Sequence, residues 1–336
     1  MKNPHPHALP APARRAVASL AAGTLLAGAA LLLPGAAIAA DDLPTSGTWA
    51  VDGWTKQDST SEYWLSLRWT RSHEHWSSRS LPLTLVPGLT PAQVGGTPAT
   101  VHFEIKRDAG TFVCDGRVGN DSGAGLYDLK LDPAYADALA KRGIGRPDTD
   151  QQIRFALSDV SYAFLDALKA QKYPKPDLDV LVRLADHGVD QQYLDGMGSL
   201  GYRFASFDEL VRARDHGVDL RYIEGMHDAG YTKLTLDELV ELRDHGVDMR
   251  YMEALATAGY DHLSPEQLVH TRDQGVDGRY IQGMADAGYK NVPLEDLVRA
   301  RQHGVDGRVA KRINSSLSQP ATLDKLIQIH DRGGLD

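Results

Sequence analysis

LVRARDHGVDLRYIEGMHDAGYTKLTLDE, residues 210–238, sets the frame for the chain. The same pattern opens again at Leu239, Leu268 and Leu297, and once earlier at Leu181, a step of 29 residues each time. Within it, DHGVD starts at Asp186, Asp215 and Asp244, and relaxes to DQGVD at Asp273 and QHGVD at Gln302. A fixed period of this size marks a stacked array in which one supersecondary unit recurs.

Each unit carries two helix signals with a stop after each. Ser206 or Thr235 precedes an acidic, then apolar run, which is an N-cap followed by carboxylates in the first turn. That helix ends at Gly217, Gly246, Gly275 or Gly304, where glycine takes the left-handed C′ conformation. The His before these glycines sits where a protonated imidazole complements the helix dipole. Asp219, Asp248, Asp277 and Asp306 then cap a second helix that stops at Gly230, Gly259 or Gly288. Tyr222, Ile223, Met226 and Ala229 recur one period on and form the apolar stripe of that helix. Gly196, Gly225, Ala254 and Gly283 share a small-residue position, which predicts close approach of a neighbouring helix. One unit cannot bury its stripe alone, and stacking supplies the cover.

Clear copies span residues 181–325. Counting back from Asp190 by the period lands on Ser161 and Asp132, and counting forward lands on Leu326. The array is therefore expected over residues 132–336, with degenerate ends.

Residues 1–40 read as a signal peptide. Lys2, Arg14 and Arg15 lead an apolar run from Ala16 to Leu33 and a small-residue site at Ala37-Ile38-Ala39-Ala40. Left uncleaved, the same run would be a membrane anchor. Cleavage implies a periplasmic or secreted protein. It removes three cations and no acid, taking the formal charge from −9 to −12. An acidic exported chain fits neither nucleic acid nor anionic lipid as partner. No second long apolar run follows, so no membrane contact is expected after cleavage. Cys114, the single cysteine, is expected as a small buried residue.

Residues 41–131 differ in character. TWAVDGW, EYWLSLRWT, LPLTLV, TVHFEIKR, GTFVCDGRV and GLYDLKL are rich in β-branched and aromatic residues and are separated by turn-rich segments. They predict an antiparallel β domain of five or six strands that holds all five tryptophans. SHEHWSSRS, around Trp76, is too polar for a core strand and is expected as loop or exposed edge. The fold class is thus α+β: a small antiparallel β domain followed by an α-helical solenoid.

No motif predicts catalytic, cofactor-binding or metal-binding residues. His73 and His75 would share a strand face, but their spacing is not the H-E-x-x-H of helical zinc peptidases. GNDSGAG (119–125) lacks the Lys-Ser/Thr of a phosphate loop and reads as a hairpin turn. Asp215 cannot hold the His216 ring, because adjacent helix residues point about 100° apart. No Ser or Cys recurs beside these pairs as a nucleophile.

Two Arg rows run one per repeat: Arg214, Arg243, Arg272, Arg301 and Arg221, Arg250, Arg279, Arg308. They form either an inter-repeat salt-bridge ladder or a surface for an acidic, carboxylate-bearing partner. Positions that vary while the framework repeats are expected to face a partner: Arg212, Glu241, His270 and Arg299 on the first helix, Glu224, Glu253 and Gln282 on the second.

The repeat pattern G-V-x-x-x-Y-[IM]-x-x-[ML]-x-x-x-G-Y resembles a bacterial repeat family. Its members occur in exported proteins of unknown function and as appendages of membrane metallopeptidase sensors of the type that respond to β-lactams. FEIKRDAGTFVCDGRVGNDSGAGLYDL (103–129) is similar to the domain preceding those repeats. The repeat ends also resemble helix-hairpin-helix modules, whose backbone binding of nucleic acid export and negative charge argue against. No H-E-x-x-H and no multi-span domain is present, so peptidase activity does not carry over. The resemblance implies a sensory or interaction scaffold in the envelope with a protein or peptide partner. The alternative is an envelope enzyme or metal-dependent sensor centred on His73, Glu74, His75 and Asp121.

Overall fold

A computed structural model describes residues 44–55, 61–72 and 75–333. The expected signal peptide lies outside them, as do His73 and Glu74. The described residues fall within one compact unit, Asp41–Asp336.

Six strands, β1 (Ser46–Thr55), β2 (Ser61–Ser72), β3 (His75–Pro82), β4 (Ala99–Arg107), β5 (Gly110–Gly119) and β6 (Ser122–Leu131), form one antiparallel sheet in the order β3-β2-β1-β6-β5-β4. The polar segment around Trp76 is β3, an edge strand. LPLTLV, expected as a strand, instead ends β3 at Pro82 and turns through a short 3-10 segment, Leu83–Leu85. Proline removes a ladder donor there, and Pro87-Gly88 follow directly. The connection then makes one helical turn, α1 (Pro91–Val94), capped by Thr90. Leu83, Val86, Leu89 and Val94 of this connection are buried in the sheet's core.

Alternation selects that core: Trp49 and Val51, Leu65 and Leu67, Phe103 and Ile105, Phe112 and Cys114, Tyr127 and Leu129. Trp49 lies over two glycines. A Cβ on Gly116 would meet the indole at 2.5 Å, and one on Gly125 at 2.6 Å. Its Nε1 donates to the Asp115 carbonyl at 3.3 Å. GNDSGAG is the β5–β6 hairpin, with Asn120 and Asp121 at φ 55° and 62°, as a two-residue hairpin turn requires. Burial in this core pushes the Cys114 thiol up to about 12.

From residue 133 the chain is helical. The first helices of the repeats are α3 (Thr149–Ser158), α5 (Leu178–Asp186), α7 (Phe207–Asp215), α9 (Leu236–Asp244), α11 (Pro265–Asp273), α13 (Leu294–Gln302) and α15 (Leu323–Asp331). The second helices are α2 (Pro133–Lys141), α4 (Tyr162–Ala170), α6 (Gln191–Ser199), α8 (Leu220–Asp228), α10 (Met249–Thr257), α12 (Gly278–Asp286) and α14 (Gly307–Ser315). Both series start every 29 residues. First helices pack on first helices and second on second, as in α5 on α7 and α6 on α8. This is an α-solenoid of helix-turn-helix repeats, each unit covering the next.

The stops and caps sit where the pattern puts them. Gly188, Gly217, Gly246, Gly275 and Gly304 have φ near 70°. Asp190, Asp219, Asp248 and Asp277 each accept the backbone N–H three residues on at 2.8 Å. Asp132 and Ser161 cap α2 and α4.

Candidate interaction surface

The Arg row of the first helices is built into the joints between repeats. Tyr193, Tyr222, Tyr251 and Tyr280 are buried on the second helices. Each hydroxyl donates to the carbonyl of the Val in the next GVD turn: Val218, Val247, Val276 and Val305, at 2.9, 3.2, 3.1 and 2.9 Å. Burial pushes these phenols far above their ordinary range, so the hydroxyl stays a donor. Arg214, Arg243, Arg272 and Arg301, from the next first helix, cover the ring faces at 4.7, 4.9, 4.8 and 5.1 Å. A guanidinium over an aromatic face is worth about 0.5–1 kcal/mol at exposed sites. These four residues act as mortar between copies.

A second ladder uses the variable position of the first helix. Arg183 pairs with Asp208 at 2.6 Å, Arg212 with Asp237 at 2.5 Å and Arg299 with Asp324 at 2.5 Å. Glu241 and His270, at the same position in the two copies between, have no such partner among the described residues and remain exposed.

A third ladder joins helix ends. His187 Nδ1 meets Asp215 at 2.5 Å, His216 meets Asp244 at 2.8 Å, His245 meets Asp273 at 2.7 Å and His303 meets Asp331 at 2.9 Å. Gln274 replaces His in the remaining copy, and the residue opposite is Gln302 in place of Asp. Gln302 Nε2 donates to Gln274 Oε1 at 3.1 Å. One contact therefore accounts for both departures from DHGVD. Sequence reading placed the His at a helix end but missed its partner, since the carboxylate comes from the following copy. The Asp273 carboxylate, with Glu241 and Asp244 near, raises the His245 pKa above 6.5.

What the ladders leave over is the exposed side of the second helices. Glu224 and Glu253 are exposed, with Arg221, Arg250 and Arg279 beside them, and none of these side chains has a hydrogen-bond or ion-pair partner among the described residues. Gln282 bonds only Asp286 of its own helix, at 2.7 Å. Of the expected partner-facing residues, Arg212, Arg214, Arg243, Arg272, Arg299 and Arg301 thus hold the array together, while Glu224, Glu253 and Gln282 share one ridge.

Several clefts adjoin the array. One of about 660 Å³ lies where the sheet meets it, between exposed Trp64 and Leu85 and the ends of α3 and α5. Another, of about 450 Å³, lies between α12 and α14. Among the described residues no three His, Cys, Asp or Glu side chains come close enough to share a metal ion. No helix among them is long and apolar enough to cross a membrane.

Sheet and array together define the class: an α+β protein with an antiparallel sheet and a 29-residue-repeat α-solenoid. No family model, curated protein or solved structure matches this chain.

Proposed function

We propose that this chain is an exported, non-enzymatic scaffold of the bacterial envelope that holds a protein or peptide partner on the exposed ridge of its second helices. One observation carries the reading. Framework side chains satisfy one another from copy to copy, whereas Arg221, Glu224, Arg250, Glu253 and Arg279 are exposed and unpaired at a regular spacing. A rigid stack that repeats polar side chains at fixed intervals suits an extended partner. The signal-peptide pattern of residues 1–40 and the family resemblance support the same reading.

A photo-cross-linking residue placed at Glu253 in the cell tests it. A discrete adduct is expected at Glu253 and not at Ser199, which is exposed at the end of a second helix. Equal labelling at both positions would sink the ridge assignment. Export is tested separately: N-terminal sequencing of the mature protein should begin at Ala40 or Asp41, and an intact Met1 would mean an anchored form.

A further inference from the structure

The small-residue column of the second helices is matched by the first residue of the next second helix. A Cβ on Gly196 would come within 2.4 Å of Leu220, and one on Gly225 within 2.7 Å of Met249. In the next joint the sizes reverse, and a Cβ on Gly278 would meet that of Ala254 at 2.6 Å. In the last joint both residues are glycine. A Cβ on Gly307 would lie 2.0 Å from the Gly283 carbonyl oxygen, while a Cβ on Gly283 would meet nothing within 4 Å. The backbones of α12 and α14 touch, and the space that Leu220 or Met249 fills elsewhere stays open. The result is the cleft of about 450 Å³, within the range of ligand-binding clefts, about 300–1,000 Å³.

Its walls are cationic. Arg279, Arg301, Arg308 and Lys311 line it against two carboxylates, Asp277 and Asp306. Both carboxylates are engaged as caps: Asp277 accepts the Tyr280 N–H at 2.8 Å, and Asp306 the Arg308 and Val309 N–H groups at 2.9 Å. Arg308 also leans on Asp306, at 3.3 Å. Arg279 and Lys311 have no partner among the described residues. The column ending in Lys311 reads Glu224, Glu253, Gln282 in the earlier copies, so the charge reverses only here. On a chain of net charge −9 an acidic segment is repelled generally and attracted at this cleft.

We propose that the α12–α14 cleft binds carboxylate side chains of an acidic peptide segment of the partner, with Arg279, Arg308 and Lys311 as the recognising groups. This rests on the scaffold reading above and names the partner's chemistry. Guanidinium forks take carboxylates bidentately, which fixes orientation as well as charge.

Calorimetric titration of the mature chain with a capped hexaglutamate peptide, its hexaglutamine counterpart and inorganic phosphate tests it. The Glu peptide should bind and the Gln peptide should not. Arg279→Gln/Lys311→Gln should weaken binding at least tenfold, and Lys130→Gln, at an exposed cation of β6 away from the ridge, should leave it unchanged. Gly283→Leu fills the cleft without altering a charge and should block binding too, with circular dichroism confirming an intact fold. Equal loss in Lys130→Gln, or failure of the Glu peptide to bind, overturns the proposal. So does tighter binding of phosphate, which would make this a phosphate site. The cross-link at Glu253 reports on the scaffold reading alone, so the two can fail separately.

Discussion

His245 and Asp273 stand 28 residues apart in sequence and 2.7 Å apart in space. The raised His245 pKa has a sign that can be checked. A histidine whose folded pKa lies above its unfolded value contributes stability at low pH, and loses it as pH rises through the folded value. His245→Gln should therefore lower the melting temperature most near pH 5.5 and least near pH 8, with a gap of at most about 1 kcal/mol for so exposed a pair. A pH-independent difference between wild type and variant would reduce His245 to a polar cap. Tyr222→Phe removes the donor to the Val247 carbonyl and should cost about 0.5–1.5 kcal/mol in urea denaturation, with no change in fold. At Gly283 and Gly307 the same substitution should act oppositely. Gly283→Ala meets open space and gains helix propensity, up to about 1 kcal/mol, whereas Gly307→Ala must push α12 and α14 apart. Denaturation midpoints that move together for the two glycines would contradict the packing described. The glycine column was legible as a close-approach position, because glycine inside a helix needs a reason. That its last pair opens a cleft was not, since that depends on residue 307 being small as well.

Contacts between elements follow one arithmetic. Arg212 reaches Asp237, 25 residues on; His216 reaches Asp244, 28 on; Tyr231 reaches the Leu263 carbonyl, 32 on. These offsets are the period less four, less one and plus three. Positions four back and one back fall on one face of a helix, while the third contact joins the loops that follow the second helices. Parallel helices stacked in register meet through that face, so the partners follow once the period is known. The Arg rows could not be assigned from the sequence because both readings use the same charges; the ring beneath each Arg decides for one row. Deleting residues 239–267 joins Glu238 to Leu268 and rebuilds every ladder: His216 would meet Asp273, and Tyr222 the Val276 carbonyl. That variant should remain helical and melt cooperatively. Deleting residues 239–252 joins a first helix to the middle of a second and should unfold the copies on either side. Equal loss of helical circular dichroism in both would refute nearest-neighbour stacking.

At the scale of the molecule, sheet and array are coupled through the tip of the β4–β5 hairpin. RDAG (107–110) reads as a turn in the sequence, and the burial of Arg107 is not legible there, because it depends on helices 50 residues away. Its side chain is only 6% exposed. The guanidinium donates to the Ala156 carbonyl at 2.5 Å and the Leu157 carbonyl at 2.8 Å, where α3 ends and its carbonyls lack helical partners. Asp108 accepts the Tyr162 N–H at 2.6 Å, at the start of α4. Gln152 of α3 donates to the carbonyls of Ala109 and Asp132 at 2.9 and 2.7 Å. One hairpin thus fixes the end of one helix and the start of the next, which sets the first copy of the stack on the sheet. Arg107→Met keeps most of the aliphatic volume and removes the charge. Hydrogen bonds to a charged group are worth about 1.5–3 kcal/mol, so the variant should be destabilised by that amount. Because the array is coupled only through neighbours, the loss should stay local. Hydrogen exchange should quicken in the hairpin and in α3 and α4, and remain as in wild type from α9 to α13. Exchange that quickens evenly along the array would mean that the sheet supports every repeat rather than the first.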